Sequence, residues 1–242
     1  LDFPVENATY TVWVTEPDGT EHRMYDTCWM TVAPKVSASV DGKLDEWEKV
    51  HPGWMFYTHA WSRFGRHNVQ LQKDAENMLY VHRIDARAAI YSGYDDENLY
   101  VAVKCMDDDP VFSGDKADVL EIKVNPRPGY NDGAVVLRIR PHEDGPVVTD
   151  QQGMPRDGVA TAMTMTDERN EYAPYKVWTV ELAIPLETVG GAKKVGEAIG
   201  FDLVWHDADR QREGGDWTDD IVVGTWRWAG RSTSLGTLFF GK

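Results

Sequence analysis

No apolar run in the 242-residue chain approaches the roughly 18 to 20 residues that a spanning helix requires, because Asp, Glu, Lys, Arg or Gly interrupts every hydrophobic stretch. A membrane-spanning helix is thereby excluded. Positive charge is also short: 25 Lys and Arg stand against 40 Asp and Glu, a formal net charge of -15. Phosphate neutralisation supplies most nucleic-acid affinity, so DNA and RNA are poor partners, and anionic membrane surfaces are disfavoured for the same reason. Cysteine is scarce. Cys28 and Cys105 lie far apart, each in an alternating apolar segment, which fits either one disulfide or two buried thiols. Without a His pair at ligand spacing, two cysteines make no zinc site. Enzyme signatures are missing as well: there is no Gly-x-Ser-x-Gly elbow, no His-Glu-x-x-His, no phosphate loop and no dinucleotide-binding glycine pattern. The opening Leu1-Asp2-Phe3-Pro4 carries no basic-then-apolar leader, as expected of a mature chain or a piece of a longer one.

Aromatics and carboxylates are what the chain has in plenty: ten Trp, ten Tyr and seven Phe accompany the 40 acidic residues. That combination suits neutral hydroxylated ligands, or calcium, better than phosphates. Long helical periodicity is nearly absent, and period-two alternation predicts strands at 8–14, 98–105, 119–125, 134–140, 159–166, 176–184, 199–206 and 235–240. Turn clusters such as Pro126-Arg127-Pro128-Gly129 and Glu143-Asp144-Gly145-Pro146 separate several of them. The expectation is an all-β chain, an antiparallel β-sandwich or jelly roll, with helix confined to single turns near Leu44 to Val50 and Leu186 to Val189. Residues 1–35, with a strand-turn-strand pattern around Pro17-Asp18-Gly19, form an extra layer or the tail of a preceding domain. The main domain is expected over 36–242, with an aromatic insertion at 51–93 that lacks clear periodicity.

Three groups of residues carry possible chemistry. In the hairpin of 119–125 and 134–140, alternation sends Leu120, Ile122 and Val124 to the core together with Val135, Leu137 and Ile139. Glu121, Lys123, Arg138 and Arg140 then share the opposite face. Two readings of that face are open: a solvated cross-strand ion-pair ladder, or a polar platform that hydrogen-bonds sugar hydroxyls. The second group is acidic, in strand-end loops: Asp95-Asp96-Glu97, then Asp107, Asp108 and Asp109 with Asp115 and Asp118, then Asp207 and Asp209. Adjacent carboxylates are either solvated or bridged by a hard cation, and Ca²⁺ is the cation this chemistry favours, although the spacing is not that of an EF-hand. The third is aromatic: Trp226 and Trp228 point the same way in an extended segment, as core or as a stacking platform.

The ordered set of segments resembles a family 9 carbohydrate-binding module, within a wider group of sandwich domains that bind sugars or haem. The pieces that carry this are Val40-Asp41-Gly42-Lys43-Leu44-Asp45-Glu46-Trp47, Asp95 to Val103, Asp107 to Pro110 and Asp115 to Ile122. Val180 to Pro185, Gly196 to Asp209 and Leu235 to Leu238 follow in the family's order. The resemblance implies a jelly-roll sandwich that binds sugar without cutting it and carries structural calcium, for which Asp107, Asp109, Asp118, Asp207 and Asp209 are the candidates here. It implies two Trp side chains clamping a sugar, with a Glu and an Arg bonding its hydroxyls. By position these last are Glu121 and Arg138, with Arg140 beside them. One clamp is Trp226 or Trp228. The other position has no Trp, and Phe112, Trp54 or Trp61 are the available substitutes. This departure leaves the family's usual glucan-end preference open.

The expected function is therefore non-catalytic binding of oligosaccharide or polysaccharide, in a secreted protein that targets or assists a polysaccharide-degrading enzyme, with appended catalytic domains as possible company. Two alternatives stand beside it. One is a haem-binding electron-transfer domain using Met78, His82, Met106 or His206. The other is a glycoside-cleaving enzyme using carboxylates such as Asp207 and Glu121.

Overall fold

Alternating apolar and polar residues make half-buried strands, and the chain uses them throughout. The computed structural model describes residues 8–15, 21–28, 30–48, 50, 54–57, 86–107, 110–114, 117–142, 144–169, 174–208, 221–223 and 235–242; at 8–14, 21–28, 30–31, 54–57, 86–87, 174, 207 and 221–223 it describes the backbone alone. The strands are β1 (Ala8–Thr15), β2 (Glu21–Cys28), β3 (Met30–Ala33), β4 (Trp54–Tyr57), β5 (Ala86–Tyr94), β6 (Asn98–Asp107) and β7 (Val119–Asn125). They continue with β8 (Val135–Arg140), β9 (Val147–Thr149), β10 (Ala160–Arg169), β11 (Pro174–Pro185), β12 (Ala198–Asp207), β13 (Ile221–Val223) and β14 (Gly236–Phe240). Single 3₁₀ turns at Asp45–Trp47 and Leu186–Val189 stand where the two helical turns were expected. Among the described residues no helix is long and apolar enough to cross a membrane.

Two sheets pack face to face as a sandwich. One runs β10-β11-β6-β5-β4; the other runs β3-β14-β12-β7-β8-β9, with β13 on β12. Among the described residues the strand ladders are antiparallel except between β14 and β3, and a single parallel bridge joins Lys35 to Tyr94. The core between the sheets collects alternate residues of each strand: Leu99, Val101, Val103 and Cys105 from β6, Trp178, Val180, Leu182 and Ile184 from β11, and Ile199, Phe201, Leu203 and Trp205 from β12. Trp178 and Trp205 meet edge to face across the sheets, 5.4 Å between centroids. Both are fully buried, so this pair belongs to the core.

A second, smaller cluster covers the outer side of the first sheet. Trp47 packs with Tyr100, Ala102 and Ala183, and Val36, Ala38, Val40 and Leu44 close over them. The device that holds this cover is Glu181, a carboxylate within the apolar run Val180 to Ile184 of β11 and only 2% exposed. Its Oε1 accepts from Trp47 Nε1 at 2.7 Å, and its Oε2 accepts from the amides of Asp41 at 3.0 Å and Gly42 at 2.7 Å. A buried carboxylate is tolerable only when so satisfied. Gly42 is required by the same turn, since φ is +82° and a Cβ would stand 2.7 Å from the Met163 carbonyl carbon. The segment Val40 to Trp47 is thus a clasp on the sandwich.

Two expected boundaries move. Residues 86–93, assigned to the insertion, belong to β5, an interior strand between β6 and β4. The chain joins the sandwich before residue 36: β3 pairs with β14, Ala33 is fully buried, and Tyr94 receives Val36 N–H while donating its own N–H to Pro34. The hairpin β1–β2 forms its own two-stranded sheet, as the strand-turn-strand pattern predicts.

Candidate functional site

β7 lies between β12 and β8, and its alternation turns Leu120, Ile122 and Val124 into the core while Glu121 and Lys123 face away. Register then fixes the neighbours on that outer face. Glu121 stands opposite Arg138 on one side and Val204 on the other; Lys123 stands opposite Val136 and Asp202. Beyond Arg138 the row continues to Thr149, and Arg140 stands opposite Val147. The expected set of Glu121, Lys123, Arg138 and Arg140 does share one face.

Glu121 is the centre of this face. Its Oε1 lies 3.0 Å from Lys123 Nζ, and its Oε2 accepts from Arg138 Nε at 2.9 Å. Burial by itself would raise its pKa, but the hydrogen bonds and charges of Lys123 and Arg138 outweigh burial and hold the carboxyl below the usual carboxylate range. The side chains are 9%, 13% and 44% exposed for Glu121, Lys123 and Arg138, so the carboxylate is sunk and the guanidinium reaches outward. Arg138 uses Nε for Glu121; no described residue takes its terminal amino groups. The result is a fixed acceptor beside an outward planar donor. Such a pair can hydrogen-bond adjacent hydroxyls with little ordering cost, because the ion pairs already hold it. The ion-pair reading and the platform reading therefore describe one arrangement.

The remaining predicted residues divide by place. Arg140 is exposed at the end of β8, with no ion pair among the described residues. Phe112 is partly buried in the loop before β7, its ring edge-on to core Trp178 at 5.9 Å. That contact commits it to the core. The backbone of Trp54 belongs to β4, at the edge of the sheet opposite the one that carries Glu121. Trp54 is therefore not on the platform's sheet. Trp61, Trp226 and Trp228 lie outside the described residues, as do Asp109 and Asp209.

Asp107 ends β6, Asp118 precedes β7 and the backbone of Asp207 ends β12, which places them at the end of the sandwich beyond the Trp178–Trp205 pair. Asp118 is fully buried there; its Oδ2 accepts from Val111 N–H and its Oδ1 from Ala208 N–H, both at 2.8 Å. It ties two loops to the start of β7, a role that its position just before an apolar strand signals only weakly. Asp107 is buried too. Among the described residues no group of three or more ligating side chains is assembled for a metal. Asp95 closes the β5–β6 turn, accepting from the amides of Glu97 and Asn98 and from Tyr100 Oη. Sequence reasoning missed Glu181, although a lone Glu within Val180-Glu181-Leu182-Ala183-Ile184 is itself a sign of a buried, satisfied carboxylate.

The alternatives can be placed on the same frame. Met106 alternates out of the core on β6, and His206 does so on β12, so the two belong to opposite outer faces. Two sheets pack about 10 Å apart, too far for these residues to ligate one haem iron. Met78 and His82 lie outside the described residues.

Comparison with known proteins gives a consistent set. The profile of a family described as carbohydrate family 9 binding domain-like matches residues 58–229. A family 9 carbohydrate binding module from Caldicellulosiruptor kristjanssonii, in complex with glucose, superposes with a TM-score of 0.53 at 16% identity, covering 88% of this chain and 96% of its own. A family 9 module from the same organism in complex with cellotriose gives 0.49 at 15% identity, covering 88% and 94%. No curated protein sequence matches the chain.

Proposed function

The chain belongs to the carbohydrate family 9 binding domain-like family, and from that premise we propose that it binds oligosaccharide or polysaccharide without cutting it, on the outer face of β7 and β8. The observation that carries the proposal is the Glu121 carboxylate fixed between Lys123 and Arg138. In this reading Glu121 accepts from one sugar hydroxyl while the terminal amino groups of Arg138 donate to its neighbour. A clamp aromatic from Trp226 or Trp228 stacks on the sugar's C–H face. The related module bound to glucose supports the class of ligand.

One feature bears on cleavage: Glu121 is held below the usual carboxylate range, so it does not supply the protonated carboxyl that glycoside hydrolysis needs as its general acid. The proposal includes a structural calcium ion at the end of the sandwich that carries Asp107, Asp118 and the backbone of Asp207, with the ion supporting loops and taking no part in contact with sugar. It also places the protein outside the cell, alongside a polysaccharide-degrading enzyme.

Calorimetry against a panel of neutral and acidic oligosaccharides and polysaccharides tests the reading. Binding to at least one member, weakened tenfold or more by Glu121→Ala, is expected. No binding across the panel overturns it.

A further inference from the structure

The outer face that carries Glu121 is a local exception to the charge of the chain. On β7, β8 and β12 that face presents Lys123, Arg138 and Arg140 against Glu121 and Asp202, three cations to two carboxylates, with His206 as the remaining titratable group. The whole chain has a formal net charge of -15. β9, at the edge, adds only Val147 and Thr149. Glu121 is shared by Lys123 and Arg138, which leaves Arg140 exposed with no anionic partner among the described residues.

Geometry turns this surplus toward a ligand. Arg138 and Arg140 are two residues apart on one strand, so their side chains leave the same face about 7 Å apart along it. The terminal amino groups of Arg138 and the whole guanidinium of Arg140 are therefore neighbouring outward donors. A neutral sugar needs the Glu121–Arg138 acceptor and donor, and it gives Arg140 no charge to meet. A pyranose whose C6 is a carboxylate supplies one, and a guanidinium can hold a carboxylate through two parallel hydrogen bonds.

We propose that this face prefers saccharides bearing a carboxylate, the uronic acids, with Arg140 as the residue that selects for the charge and Glu121 and Arg138 reading the hydroxyls. The inference rests on the sugar-binding reading above and names the class of sugar.

The test compares cellotriose with the trisaccharide of the same linkage oxidised to the carboxylate at C6, by calorimetry on the full chain at low and high salt. The expected result at low salt is an affinity about tenfold higher for the carboxylated trisaccharide, a preference that shrinks as salt screens the exposed guanidinium. Arg140→Gln should bring the ratio of the two affinities close to one. Its melting temperature should match the parent, since the Arg140 side chain is exposed and bonds no described residue. Equal affinity for the two trisaccharides, or a preference that Arg140→Gln leaves intact, overturns the proposal while sugar binding stands. Binding of neither, with every other saccharide of the panel also unbound, overturns both.

Discussion

Replacing Glu181 by Gln tests the claim that the Val40 to Trp47 segment is a clasp held by one buried carboxylate. The carboxylate accepts three hydrogen bonds, from Trp47 Nε1 and from the amides of Asp41 and Gly42. Gln keeps one acceptor oxygen and turns an amino group toward the remaining donors. Whichever way the amide is oriented, at least one buried N–H loses its partner and charge assistance is lost throughout. A hydrogen bond to a charged group contributes about 1.5–3 kcal/mol, so losing one outright and weakening the rest costs about 3–5 kcal/mol. In a chain of this length each kcal/mol moves the midpoint by about 2–4 °C. A fall of about 10 °C in melting temperature is expected, measured by circular dichroism or calorimetry. At temperatures where the variant is folded, sugar affinity should be unchanged, because the clasp and the Glu121 platform lie on opposite sheets. A midpoint within 2 °C of the parent would refute the reasoning.

Two further outcomes concern pH and calcium. Glu121 has its folded-state pKa lowered by Lys123 and Arg138, so the stability it contributes is present above its unfolded pKa of about 4.3 and is lost as pH falls through the lower folded value. The gap in melting temperature between the parent and Glu121→Gln should be constant from pH 8 to about 5 and shrink below about 4; a gap unchanged at pH 3 contradicts the assignment. For calcium, an ion present at a hundred times its dissociation constant contributes about 2.7 kcal/mol, so chelation should lower the midpoint by about 5–10 °C and added Ca²⁺ should restore it. An unaltered midpoint in chelator, with no calcium found by elemental analysis, removes the ion from the proposal.

Much of this arrangement was legible in the sequence because it depends on period two. Alternation alone placed Glu121, Lys123, Arg138 and Arg140 together, and register then made Glu121 and Arg138 direct partners. β5 was not legible. Its Ala86-Arg87-Ala88-Ala89-Ile90-Tyr91-Ser92-Gly93-Tyr94 mixes small residues on both faces, so the contrast between core and outer positions is faint. The small residues have a packing reason: a Cβ on Gly93 would stand 2.5 Å from Val36. β3 was also missed as part of the sandwich, since its partner β14 lies at the far end of the sequence and four residues carry little periodicity. The carboxylates were visible as clusters, but composition cannot separate those that close turns from those that would meet a cation. Asp95 and Asp118 are fixed by backbone amides, which only the three-dimensional contacts display.

In the proposed site a sugar is read by Glu121 and Arg138 together. The most direct measurement is a double-mutant cycle of Glu121→Gln and Arg138→Gln, scored by calorimetric affinity for the tightest saccharide of the panel. Each single variant is expected to lose about tenfold or more, with the double variant losing far less than the product, since the two side chains act as one hydrogen-bonded unit. Affinity unchanged in both single variants would contradict the account.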